Sequence, residues 1–139
     1  MNKVFHCCIG FLLFFTLFPA SPQEYDENQD GKIDKWIRTD STGGRIIEID
    51  RDYNGIADYA VVYDRDANLI EERLDFNNDG EMDDFYYYSN SVLQRREIDS
   101  NYDGKIDIWV YLEEGIYIQK FERDLDFDGT IDLVKDYDK

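Results

Sequence analysis

The chain has 139 residues and a net charge of −17, with 32 acidic side chains against 15 basic ones. Such a surface repels nucleic acid and anionic lipid and attracts cations, which argues against a DNA or RNA partner. Hydrophobic residues make up 42% and aromatic residues 16%, and they recur at regular intervals, so the chain reads as one ordered domain rather than an acidic disordered tail.

Residues 1–22 stand apart from the rest. Lys3 gives a short positive start, Val4 to Phe18 is an uncharged apolar run, and Pro19, Ala20, Ser21 and Pro22 break it. The run falls short of the about 20 residues needed to cross a bilayer. It reads as a secretory signal peptide. The expectation is a mature domain over 23–139, secreted or exposed at the cell surface or in a periplasm, with no integral membrane span. Cys7 and Cys8 lie early in the run, the wrong place for a lipid-modified cysteine, so lipoprotein anchoring has little support. Both cysteines and the single histidine, His6, fall in this segment. A mature chain without Cys or His has no disulfide, no Cys/His zinc site and no Ser-His or Cys-His nucleophile pair. A small exported domain without disulfides needs another staple, and a metal is the obvious candidate.

From Asp26 onward one nine-residue pattern occurs five times: Asp-x-Asn/Asp-x-Asp/Asn-Gly-x-x-Asp. The copies start at Asp26, Asp50, Asp75, Asp99 and Asp124, spaced 24, 25, 24 and 25 residues apart. A fixed period of this length marks a repeat architecture, with one supersecondary unit per repeat. Each loop is followed by a run rich in β-branched and aromatic residues: KWIRT, YAVVY, DFYYY, IWVYL and LVKDY. A polar or glycine-containing turn comes next, and then a return run mixing apolar residues with Glu, Arg and Lys. No stretch sustains a 3.6-residue apolar period. The expected fold is all-β: five loop-strand-turn-strand hairpin repeats forming an antiparallel meander of about nine strands, or a β-solenoid-like structure. Trp36, Ala60, Phe85, Trp109 and Val134 should form one column across the repeats, and the first loop should lack a preceding strand.

The loops read as calcium sites. Calcium takes six to eight oxygen ligands, and a loop with oxygen side chains at positions 1, 3 and 5 and a glycine at 6 can curl around one ion, adding the carbonyl of position 7 and the Asp of position 9. The first loop offers Asp26, Asn28, Asp30 and Asp34 with the carbonyl of Lys32. The second offers Asp50, Asp52, Asn54 and Asp58 with Ile56, and the third Asp75, Asn77, Asp79 and Asp83 with Glu81. The fourth offers Asp99, Asn101, Asp103 and Asp107 with Lys105, and the fifth Asp124, Asp126, Asp128 and Asp132 with Thr130. Simple turns need a glycine and one Asx residue, not oxygen donors at four fixed offsets in every copy. Clustered carboxylates without a counter-ion also repel one another.

The first six positions resemble the EF-hand loop and the dockerin repeat. Position 12, a glutamate in an EF-hand, is here Ile37, Val61, Tyr86, Val110 or Lys135, and β-type residues surround it. The loop leading into an apolar strand is more similar to the FG-GAP (VCBS) calcium loops of β-propellers. That likeness covers the nine loop residues and the next few. It implies calcium ligation, up to five ions, and not a propeller, whose blades are much longer. The hairpin array also resembles MORN-type repeats without their glycine pattern.

The expected function is an exported, non-enzymatic, calcium-binding structural or adhesive module whose fold the ions stabilise. An alternative is an exposed aromatic sheet face, built from Tyr59, Tyr63, Tyr86, Tyr87, Tyr88, Tyr111 and Tyr117, that takes an extracellular protein or glycan, although half-buried packing is the simpler role for these rings. A carboxylate-based hydrolase is the third reading; the sequence has no nucleophile elbow, phosphate loop or dinucleotide fingerprint to support other chemistry.

Overall fold

The computed structural model describes residues 21–137, so most of the segment read as a signal peptide lies outside the described residues. Ten strands follow one another: β1 (Gln23–Tyr25), β2 (Lys35–Thr39), β3 (Arg45–Ile49), β4 (Tyr59–Tyr63), β5 (Leu69–Leu74), β6 (Asp84–Ser89), β7 (Val92–Ile98), β8 (Ile108–Glu113), β9 (Tyr117–Arg123) and β10 (Leu133–Asp136). They form one open antiparallel sheet in sequence order. The hairpin array is as expected, with one strand more: Gln23–Tyr25 pairs with β2, so the first loop does have a strand before it. Its three residues are too short and too polar to stand out as a strand in the sequence.

Every strand contacts only its sequence neighbours. The sheet is therefore a single layer, without a second layer of described residues on either face. The expected Trp36 column exists, but the return strands interleave it. The continuous row runs Glu24, Trp36, Glu48, Ala60, Arg73, Phe85, Glu97, Trp109, Glu122, Val134. Apolar residues thus alternate with charged ones across the strands. The registers leave one extra residue in the return strand of three hairpins, at Ile70, Gln94 and Gln119. Such bulges sharpen the local twist. The β2–β3 hairpin has none.

Burial is inverted relative to an ordinary domain. Among the described residues three apolar side chains are buried, Ala60, Val61 and Val62, against ten acidic ones: Asp34, Asp50, Asp58, Asp75, Asp83, Asp84, Asp99, Asp107, Glu122 and Asp124. Polar ladders replace part of the missing core. Tyr59 donates to Glu72 at 2.6 Å, and Tyr88 donates to the same carboxylate. Tyr87 donates to Glu97 at 3.0 Å while Arg95 lies over its ring at 4.5 Å. Asp84 is the most enclosed of these groups. It accepts two bonds from the Arg96 Nε, at 2.8 and 3.1 Å, and one from the Tyr86 hydroxyl at 3.0 Å. Arg96 in turn stacks over Tyr86 at 5.0 Å. The turns are local devices. Asn90 and Ser91 both take positive φ between the paired Ser89 and Val92, the two-residue hairpin geometry that matches strand twist.

Two outcomes follow. Removing one member of a buried, hydrogen-bonded charge pair strands the other, so Asp84→Ala should cost about 3 kcal/mol in chemical denaturation, the low end for such pairs because Arg96 is partly exposed. The Tyr59 phenol is pushed up to about 12 by burial and by its bond to Glu72. An unfolded tyrosine ionises near about 10, so this contribution to stability is complete below that pH and is lost as pH rises through the folded value. Ultraviolet titration should show Tyr59 ionising late in the folded protein, and Glu72→Gln should move its midpoint down.

Candidate metal centre

The five loops share one backbone. Position 6 is glycine in each, at φ between +82° and +98° (Gly31, Gly55, Gly80, Gly104, Gly129). Position 4 also adopts a left-handed conformation without being glycine: Gln29, Tyr53, Asn78, Tyr102 and Phe127 lie at φ 60–63°. That conformation costs a non-glycine residue roughly 1–2 kcal/mol, so something must hold it.

The conserved-offset carboxylates do the holding. At position 1, Asp Oδ2 accepts the N–H of the position 6 glycine at 2.7–2.8 Å in all five loops. Its Oδ1 takes the position 4 N–H at 2.7 Å in loops three to five, which ties down the strained residue itself. The position 5 side chain accepts the position 7 N–H at 2.8–3.1 Å. At position 9 the carboxylate reaches back to the position 2 N–H at 2.7–3.1 Å. Its main chain closes the loop by donating to the residue just before position 1, at 2.8–3.0 Å. This loop-closing role of Asp34, Asp58, Asp83, Asp107 and Asp132 was not legible in the sequence, where position 9 reads only as a further ligand.

The loops also stack. The N–H of position 1 in one loop donates to the position 9 carbonyl of the loop before it: Asp50 to Asp34, Asp75 to Asp58, Asp99 to Asp83 and Asp124 to Asp107, at 2.8–3.0 Å. A Cβ on Gly104 would sit 3.1 Å from a Glu81 oxygen, and one on Gly80 would sit 3.5 Å from Ile56. All the loops therefore line one end of the sheet as a spine of carboxylates. Among the described residues, ion pairs reach only Asp58, Asp84 and Glu122 of the ten buried acids. The other seven sit on backbone N–H groups with their charge uncompensated.

The expected ligands converge to different degrees. Carboxylate oxygens of Asp50, Asp52 and Asp58 lie within 4.8 Å of one another in the second loop, as do those of Asp124, Asp126 and Asp128 in the fifth. In the second, third and fourth loops an asparagine amide bridges positions 3 and 5: Asn54 to Asp52 at 3.0 Å, Asn77 to Asp79 at 2.7 Å and Asn101 to Asp103 at 3.2 Å. The fifth loop has aspartate at both positions and no such bridge. The neighbouring Asp128 and Asp132 charges raise the Asp126 carboxyl above its usual range. The raised Asp83 carboxyl has another origin, its burial, only partly offset by the N–H groups of Phe76 and Asn77. Asp132 is exposed, and, unlike its four counterparts, no following loop covers it among the described residues.

Asp99→Ala tests the holding role directly. It removes the acceptor for the N–H groups of Tyr102, Asp103 and Gly104 in a buried setting, and should cost about 1–3 kcal/mol in the metal-free protein, read as a fall in the denaturation midpoint. No protein-family model, no curated protein and no solved structure matches this chain.

Proposed function

We propose that the protein is an exported, calcium-binding structural or adhesive module in which up to five ions occupy the loop spine and rigidify the sheet. One observation carries this reading: five loops of closely similar backbone conformation stack their oxygen donors along one end of a sheet whose buried residues, among those described, are mostly acidic. A hard cation with a flexible oxygen shell suits these donors, whereas magnesium demands a tighter octahedron and keeps its water. Five divalent cations would bring +10 to a chain of net −17. The fifth loop, with its unbridged aspartates, is the strongest site of the five.

The tyrosines favour packing over ligand display. Tyr59, Tyr86, Tyr87 and Tyr88 are half-buried, and their hydroxyls are committed to carboxylates. Among the described residues no helix is long and apolar enough to cross a membrane.

At free calcium ten times the dissociation constant, one site stabilises a fold by about 1.4 kcal/mol, so five sites together reach about 7 kcal/mol, comparable to a whole domain's stability. Calcium should therefore raise the melting temperature well above that in EDTA, and native mass spectrometry should count up to five bound ions. Asp126→Asn should weaken the tightest site while leaving the other four. An unchanged melting temperature in EDTA, with no saturable uptake at millimolar calcium, would overturn the proposal.

A further inference from the structure

The two edges of the sheet are complementary to each other. β1 is a return strand, equivalent to β3, β5, β7 and β9, and β10 is an outgoing strand, equivalent to β2, β4, β6 and β8. Inside the sheet an outgoing strand is always followed by a return strand in a fixed register: Trp36 faces Glu48, Phe85 faces Glu97 and Trp109 faces Glu122. The residues in the same places at the edges are Val134 and Glu24. The N–H of Tyr137 is bonded to Gln119 in β9, and strand alternation then turns the main chain of Val134 to the open side.

The loop spine ends in the same unfinished way. Asp50, Asp75, Asp99 and Asp124 at position 1 are buried, and each bonds to the loop before it; Asp26 is only half-buried. Asp34, Asp58, Asp83 and Asp107 at position 9 are buried, and each accepts from the loop after it; Asp132 is exposed. At position 8, Ile33, Ala57, Met82 and Ile106 are half-buried, but Ile131 is 41% exposed. Leu125, Val134 and Tyr137, in the fifth loop, β10 and the residue after it, are exposed as well. What covers the equivalent groups elsewhere is the next repeat of the same kind.

We infer that the occupant of the β10 edge is the β1 edge of a second copy of this chain, added head to tail so that sheet and loop spine continue across the joint. Val134 then pairs with Glu24 of the second copy, Leu133 with its Tyr25 and Lys135 with its Gln23. The Asp26 N–H of that copy bonds to the Asp132 carbonyl. A contact of this kind uses different surfaces on the two partners and does not close, so it yields open chains of copies rather than a fixed dimer. The joint is short, and both partners are acidic, so assembly is weak and depends on concentration and on charge screening. It does not require the calcium reading: salt suffices to lower the repulsion.

Sedimentation velocity over a range of concentrations tests this, in calcium and separately in EDTA with high salt. Growth through successive multiples of the monomer is expected in at least the calcium buffer; a monomer at every concentration in both buffers overturns the inference, whatever the ion count proves to be. Val134→Pro removes the outward N–H and should remain monomeric with an unchanged β-sheet circular dichroism spectrum. A folded Val134→Pro protein that assembles like the parent also overturns it. A register test stands independently of that variant. With Cys7 and Cys8 replaced by serine, Glu24→Cys combined with Val134→Cys should give a ladder of disulfide-linked multimers on oxidation. The offset pair, Gln23→Cys with Val134→Cys, should give far less, and an equal ladder from both pairs excludes the proposed joint.

Discussion

The structure depends on carboxylates that are buried yet held by main-chain N–H groups. Taking an ionised carboxylate out of water is costly unless donors and opposite charge replace the lost hydration. The loops supply the donors: each position 1 aspartate accepts two or three N–H groups, and each position 9 aspartate accepts at least one. They do not supply the charge. Seven of the ten buried acids have no cationic side chain beside them. A hydrogen-bonded but uncompensated row of negative charge has its oxygens fixed in place without being neutralised. Charge buried in this way, without an opposite charge beside it, works against folding.

A single-layer sheet has little hydrophobic surface to bury, and the side-chain pattern reflects that. Its faces carry rows in which rings and aliphatic groups alternate with Glu, Arg and Lys, as in the row from Glu24 to Val134. Each cross-strand pair contributes at most about 1 kcal/mol. The phenol–carboxylate bonds and the stacking of Arg95, Arg96 and Lys120 over Tyr87, Tyr86 and Tyr111 make those faces compatible with water while still giving them order. The exception is the middle of the sheet. There Ala60, Val61 and Val62 are buried, and Asp84 is sealed against Arg96. This is the closest thing to a core, and it lies where the most strands flank it on both sides.

Much of this was legible in the sequence because two periods coexist. The 24–25-residue spacing of the Asp-rich loops fixed the number of repeats, and the β-type runs between them fixed the strand type. β1 escaped notice because Gln23–Tyr25 has neither length nor apolar alternation. The roles inside the loop were only half legible. The spacing shows oxygen-bearing side chains at positions 1, 3 and 5, but nothing in a one-dimensional spacing shows that position 9 uses its carboxylate to close the loop, or that position 4 is left-handed in residues as bulky as Tyr53, Tyr102 and Phe127. The buried Asp84 left a weak trace, an aspartate opening an otherwise aromatic strand. Its partner Arg96 is 12 residues away, one of several charged residues on the return strand, and only the register singles it out.

Because each repeat touches only its neighbours, the stability of the array is a sum of repeat terms and joints, and its ends are its weakest parts. This explains why the inner loops are uniform and the outer two are not. Every inner loop is covered on both sides, so its position 1 and position 9 aspartates are buried and bound to adjacent loops. Among the described residues the first has no loop before it and the fifth none after it. The fifth loop also carries the unbridged Asp126 and Asp128 and the exposed Asp132. The end of the spine is thus the place of greatest unmet charge and greatest unmet main-chain bonding at once. On the two proposals made above, a cation would answer the first need and another repeat the second, through separate interactions at the same few residues.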